Sequence, residues 1–185
     1  MWAVYKKEMR QYLLTPLAWI VWVCFLFLAG WVFQFFIRQA LDSVYGGAPD
    51  QGLTDFVVTR YFGFNKFILL FVIPILSMRL FAEEKQSGTL ELLFTYPLTE
   101  MQMIFGKLLA ALTVACIMVG LTLPPIFWAS KYGALDWSVL ACTLVGIVLL
   151  VTVALSIGIF ASSLTGSQVV AFIITLITLL ALWLA

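Results

Sequence analysis

No histidine occurs among the 185 residues, and only 10% of them are charged. Without histidine a zinc protease has no motif to build on. The serines at Ser77, Ser156, Ser162, Ser163 and Ser167 likewise lack an imidazole to activate them. Cysteine is scarce: Cys24, Cys116 and Cys142 all lie inside apolar runs, away from ligand spacing. They read as small apolar residues, which argues against a disulfide framework and against a transition-metal site. No glycine-rich phosphate loop followed by Lys and Ser/Thr is present, so the chain does not hydrolyse ATP itself. No basic cluster points to nucleic acid, and the formal net charge is +1. These absences give a chain that is not an enzyme and carries no cofactor or metal of its own.

What is present is apolar sequence. A soluble domain carries about a quarter of its residues as charged groups, whereas here 64% of residues are hydrophobic. The chain therefore reads as an all-α polytopic membrane protein, one transmembrane domain over residues 1–185. About 20 residues cross the hydrocarbon core, and on that scale five spans are expected, at 17–37, 63–82, 103–127, 137–160 and 169–185. The first apolar run is too long for a signal-peptide core and lacks a small-residue cleavage site, so it stays as a span. Pro16 can open it, since a proline in the first turn loses no hydrogen bond. Gly46, Gly47, Pro49 and Gly52 mark an exposed loop over 38–61, with a short helix expected near 55–61.

In the second span Lys66 and Arg79 flank the uncharged core Phe67 to Met78 and are expected to snorkel to opposite interfaces. Pro74 falls mid-span, as a tolerated proline or a kink. Thr99 and Gln102 form a capping box with a Leu98–Met103 staple ahead of the third span, where Lys107 is expected at the interface. Pro124-Pro125 ends that pattern, and Trp128, Tyr132 and Trp137 surround a short loop at 131–136 as an interfacial belt would. Residues 161–168, ASSLTGSQ, read as a tight polar turn, and no charged residue follows Asp136.

Residues 1–14 carry Trp2, Tyr5, Met9 and Tyr12 at helical spacing, with Lys6, Lys7 and Arg10 toward the other side. That pattern predicts a helix lying on the membrane surface, basic face toward lipid headgroups. A polar leader whose aromatics merely anchor the first span is the alternative. Counting cations by side places six (Lys6, Lys7, Arg10, Arg79, Lys85, Lys107) against four (Arg38, Arg60, Lys66, Lys131). The N-terminal cluster favours a cytoplasmic amino end in the cell's inner or plasma membrane.

The charge-dense stretch is 79–100, RLFAEEKQSGTLELLFTYPLTE, between the second and third spans. A helix starting at Ser87 would align Leu90, Leu93 and Phe94 on one face. Ser87 suits the N-cap, Glu91 suits the positive end of the helix dipole, and Pro97 would stop it. The expectation is a short amphipathic helix outside the bilayer, within an 83–98 segment, whose apolar face needs a partner. The bland alternative is a loop that only joins two spans. Arg79 either pairs with Glu83 one turn on or simply marks the interface.

Taken in order, Pro74, Met78-Arg79, Phe81-Ala82-Glu83-Glu84-Lys85, Ser87-Gly88-Thr89-Leu90-Glu91-Leu92-Leu93 and Pro97 resemble the signature of ABC-2 type (type V) ABC transporter permeases. Gly106-Lys107 and the 162–171 stretch SSLTGSQVVA continue the resemblance over most of the chain. It implies a permease subunit, usually of an exporter, driven by a separate cytoplasmic ABC ATPase that binds the ATP. The helix between spans two and three would be the coupling helix, and the docking role would fall to Glu83, Glu84, Ser87, Gly88, Thr89, Leu90, Glu91, Leu92 and Leu93. Residues 1–14 would match the family's interfacial elbow helix. A second permease copy or paralogue would complete a dimer among membrane lipids. Family members typically have six spans where five are counted here. A non-transporting membrane scaffold that docks a cytoplasmic partner is the competing reading. An ion channel fits poorly, because the spans offer almost no ionisable groups to line a wet path. The same scarcity suits a lipid-like or amphipathic cargo.

Overall fold

A computed structural model describes residues 2–45, 54, 56–86, 88, 100–131 and 135–184. Every regular element among them is helical. Helix α1 is Trp2–Leu14 and α2 is Pro16–Tyr45. A π-helical turn, Phe56–Tyr61, runs into α3, Phe62–Ser77, and α4 is Arg79–Gln86. Then come α5, Glu100–Gly120, and the short α6, Pro124–Ala129. Helices α7, Trp137–Leu164, and α8, Gln168–Leu184, complete the described chain.

The corner between α1 and α2 follows from Pro16. Its ring pushes Thr15 out of regular helix and its fixed φ suits the first position of α2. The Thr15 hydroxyl donates to Gln11 O at 2.6 Å and the Trp19 indole N–H donates to Leu13 O at 2.7 Å, which takes up last-turn carbonyls of α1. Helix α2 runs on to Tyr45 among the described residues, past the expected end of the first span. Helix α7 likewise outruns its expected span and ends at Leu164, just before Thr165 and Gly166. The expected 161–168 turn narrows to Thr165, Gly166 and Ser167, where Ser167 N–H donates to Thr165 Oγ1 at 3.1 Å.

Four helical runs among the described residues are long and apolar enough to cross a membrane: Pro16–Gln39, Val57–Gln86, Met101–Ala129 and Trp137–Leu164. The fifth apolar element, α8, has 17 residues. The chain is an all-α, multi-pass membrane protein, and its outer surface reads accordingly. Phe27, Trp31, Leu149, Val153 and Ile177 are all exposed on the outside of the bundle, a surface that water would penalise and lipid does not. Inside, Leu69, Ile73, Val114, Met118, Ile147 and Leu155 form the buried centre. Helices α3, α7 and α8 meet at Ser77, Gly158 and Thr175. A methyl group on Gly158 would overlap the Ser77 side chain, so glycine is what allows this contact.

Two prolines shape the remaining turns. Pro74 lies inside α3 without breaking it, and Met78 N–H donates to Pro74 O at 2.9 Å. The regular helix is interrupted only after that, at Met78, which separates α3 from α4. Pro124 opens α6 just after the turn at 121–123, so the Pro124-Pro125 pair ends one helix and starts another. At that end of the bundle Asp136 caps α7, its Oδ1 accepting from Ser138 N–H at 2.9 Å. The opposite end gathers α1, α4, the start of α5 and the close of α7.

Candidate functional site

The candidate site is built around α4, the helix leading into the charge-dense segment. Its interruption at Met78 leaves first-turn N–H groups in need of acceptors. Ser162, on α7, supplies one. Its hydroxyl oxygen accepts from Phe81 N–H at 3.1 Å and Ala82 N–H at 3.0 Å, and the hydroxyl donates to Met78 O at 3.1 Å. Ser162 is fully buried, and one side chain from another helix therefore acts as the N-terminal cap of α4. Lys85 adds a second tie, donating to Ser163 O at 3.2 Å.

Charge is concentrated on the other side of α4. Lys107 of α5 is 1% exposed, and its ammonium stands 2.8 Å from Glu8 Oε1 and 2.9 Å from Glu84 Oε2. It also donates to Leu80 O at 2.5 Å, and the Phe81 ring lies 4.9 Å away. An ammonium has three N–H donors, and here three acceptors on two helices surround it. The second oxygen of Glu84 is held by Lys7 of α1 at 2.9 Å. Two cations and two carboxylates thus balance in one cluster joining α1, α4 and α5, as a buried charge requires.

Helix α1 is fixed further by its aromatics. The Tyr12 hydroxyl donates to Leu76 O at 2.7 Å, and the Tyr5 hydroxyl donates to Thr113 Oγ1 at 3.4 Å. Burial, with the nearby Glu8 carboxylate adding to it, pushes the Tyr12 phenol well above its ordinary pKa, so it remains a donor.

Of the residues singled out from the sequence, Glu83 and Glu84 sit on the last turns of α4 but face different partners. Glu83 takes Arg79 in a two-point pair, at 2.9 Å from Nε and 3.3 Å from Nη2, so Arg79 does more than mark an interface. Gly88 has φ of +68°, the left-handed conformation that glycine adopts without penalty, and its N–H donates to Lys85 O at 3.4 Å. It closes α4. Ser87, Thr89, Leu90, Glu91, Leu92 and Leu93 lie outside the described residues, as do the helix expected from Ser87 to Pro97 and the Leu98 and Thr99 halves of the staple and capping box.

Two expectations change. Lys107, expected at the interface, is buried inside the protein, where Glu8 and Glu84 both reach it. Lys7 pairs with Glu84 while staying exposed, so only Lys6 and Arg10 of the three α1 cations are left without a carboxylate of α4 beside them. The signal for the first was present: Lys107 is the only charged residue between Met101 and Gly120. A lone cation in an apolar helix calls for a partner, and Glu8 is the only acid before Asp42. The Ser162 cap had no comparable sign, since a serine in a polar-looking turn has many local uses.

The family model described as ABC-2 family transporter protein matches residues 2–185. No curated protein and no solved structure matches the chain.

Proposed function

The chain belongs to the ABC-2 family of transporter proteins, a permease of an ABC transporter, and we propose that it moves its cargo outward under the drive of a separate cytoplasmic ATPase. The ATPase docks on residues 83–96, through Glu83, Glu84, Ser87, Gly88, Thr89, Leu90, Glu91, Leu92 and Leu93. The amino end and this segment face the cytoplasm. The permease works as a dimer, with a second copy or a paralogue, among membrane lipids. ATP is bound and hydrolysed by the partner.

The observation that carries this reading is the attachment of α4. The helix that leads into 87–96 is held to α5 by Lys107, to α7 by Ser162 and Lys85, and to α1 by Lys7. A plain connecting loop needs no such ties. A docked partner pushing on the segment would find it anchored to the bundle, as a transmission element must be.

Cargo of apolar or amphipathic character fits the surface. A groove of about 200 Å³ between α5 and α7 is lined by Ala115, Cys116, Val119, Leu144, Ile147 and neighbouring apolar residues. A charged solute would find no counter-ion there.

A mild-detergent pull-down of the tagged chain from its native membrane, with mass spectrometry of what accompanies it, tests the proposal. A co-purifying soluble protein bearing a phosphate-binding loop of the G-x-x-x-x-G-K-[ST] type is the expected result. Recovery of the chain with only membrane proteins that lack a nucleotide site would favour a scaffold instead.

A further inference from the structure

We infer that Lys107 is a relay, a positioning residue that passes displacement of α4 on to α1 and α5. The inference rests on the reading of 83–96 as the ATPase-docking segment. Helix α4 has 8 residues. It is set off from α3 at Met78 and ends at the positive-φ Gly88. Any push on the segment beyond Gly88 therefore arrives first at the last turn of α4, where Glu84 sits.

Glu84 is committed with both oxygens. Lys7 of α1 holds Oε1 and Lys107 of α5 holds Oε2, each at 2.9 Å. Lys107 then returns to α1 through Glu8 and to α4 through Leu80 O. Because Lys107 and Glu8 are buried, with 1% and 5% of their surface exposed, no solvent stands ready to replace a partner that moves away. Helix α4 cannot slide past α1 and α5 without stranding a charge, so the three move together. The Ser162 hydroxyl lies nearer the Met78 end, at Phe81 and Ala82, and Lys85 ties the other end of α4 to Ser163 O.

Lys107 is thus a different kind of element from the docking residues. Its removal should leave docking intact while weakening the tie of α4 to α1, which then rests on Lys7 and Glu84 alone. Replacing both members of the most buried pair, Glu8→Leu with Lys107→Met, takes out the charge without leaving an unpaired ion between them.

The test uses the permease purified together with its ATPase, with Cys24, Cys116 and Cys142 changed to Ala and nitroxide labels on Lys6→Cys of α1 and Ser138→Cys of α7. Spin-label distances are measured with and without ATP and vanadate. The unaltered cluster should show a nucleotide-dependent shift in the α1–α7 distance. The double variant, in which only Lys7–Glu84 still joins α4 to α1, should show a reduced shift while the ATPase still co-purifies and still hydrolyses ATP. A shift that persists at full size in the double variant overturns the relay, as does a fixed distance in the unaltered protein. If no ATPase accompanies the unaltered chain, the docking reading fails and takes the relay with it. Should the double variant not assemble, Lys7→Gln, at the more exposed tie to Glu84, provides the second measurement. A reduced shift supports the relay and a full one contradicts it.

Discussion

Lys107 and Glu8 lie 99 residues apart in sequence and 2.8 Å apart in space, with almost none of either side chain exposed. This pair ties the amphipathic N-terminal helix to the third apolar run. Together with Glu84 and Lys7 it makes the polar end of an otherwise apolar bundle. The consequences can be measured one position at a time.

Breaking the pair from one side should be worse than removing it. Lys107→Met alone strands Glu8 and should cost about 3–5 kcal/mol, whereas Glu8→Leu with Lys107→Met should be close to neutral. Thermal unfolding in detergent, followed by intrinsic tryptophan fluorescence, compares the two. Equal destabilisation of the single and double variants would contradict the geometry.

Ser162→Ala removes the side-chain acceptor that Phe81 N–H and Ala82 N–H share. The loss should be about 1–3 kcal/mol, the cost of leaving a buried donor unpaired. Protease sensitivity around α4 should rise in the same variant. An unaltered melting temperature and unaltered proteolysis would mean that the cap contributes nothing.

Gly158→Ala forces a methyl group into the Ser77 side chain. Overpacking of this kind typically costs about 1–3 kcal/mol. Adding Ser77→Gly should recover much of the loss, because the space is returned from the other helix. Failure of the pair to recover anything would place the strain elsewhere.

Tyr12 links stability to pH at the alkaline end. Its phenol is raised from the ordinary value of 10.0 chiefly by burial, with Glu8 adding to it. A raised pKa means that the folded state keeps the proton that the unfolded chain gives up. The contribution is therefore complete below the unfolded value and is lost as pH climbs above it. Tyr12→Phe should cost about 1 kcal/mol at neutral pH through the hydrogen bond to Leu76 O. Above pH of about 10 the gap between the two proteins should narrow. A gap that stays constant to pH 11, or widens, would contradict the assigned burial.

Much of the architecture was legible because bilayers impose a simple code. Runs such as Leu17 to Ile37 and Trp137 to Phe160 carry no charge, and lengths near 20 residues have one common use. The corner at Pro16 and the break at Pro124-Pro125 were equally plain, since proline acts locally. Helix ends were less so: α2 and α7 outran their expected spans, because a helix stops where a breaker stands and not where the membrane ends. The polar end of the bundle was the least visible part. Glu83, Glu84 and Gly88 stood out through their order in a recognisable run, but the partners that hold α4, Lys107 and Ser162, come from distant helices. No local periodicity records that Lys107 faces Glu8. Only the physical oddity of one cation in an apolar helix pointed to it, and its partner could not be chosen without the fold.

The central claim is that an ATPase docks on the expected apolar face of the 83–96 segment and drives the bundle through α4. Changing Leu90→Asp and Leu93→Asp together and measuring how much ATPase co-purifies with the membrane-inserted chain tests it most directly. A charge on that face should abolish docking, with recovery falling by at least about tenfold, the equivalent of about 1.4 kcal/mol, while insertion and the melting temperature stay unchanged. Undiminished recovery of the ATPase from a correctly inserted double variant would contradict the account.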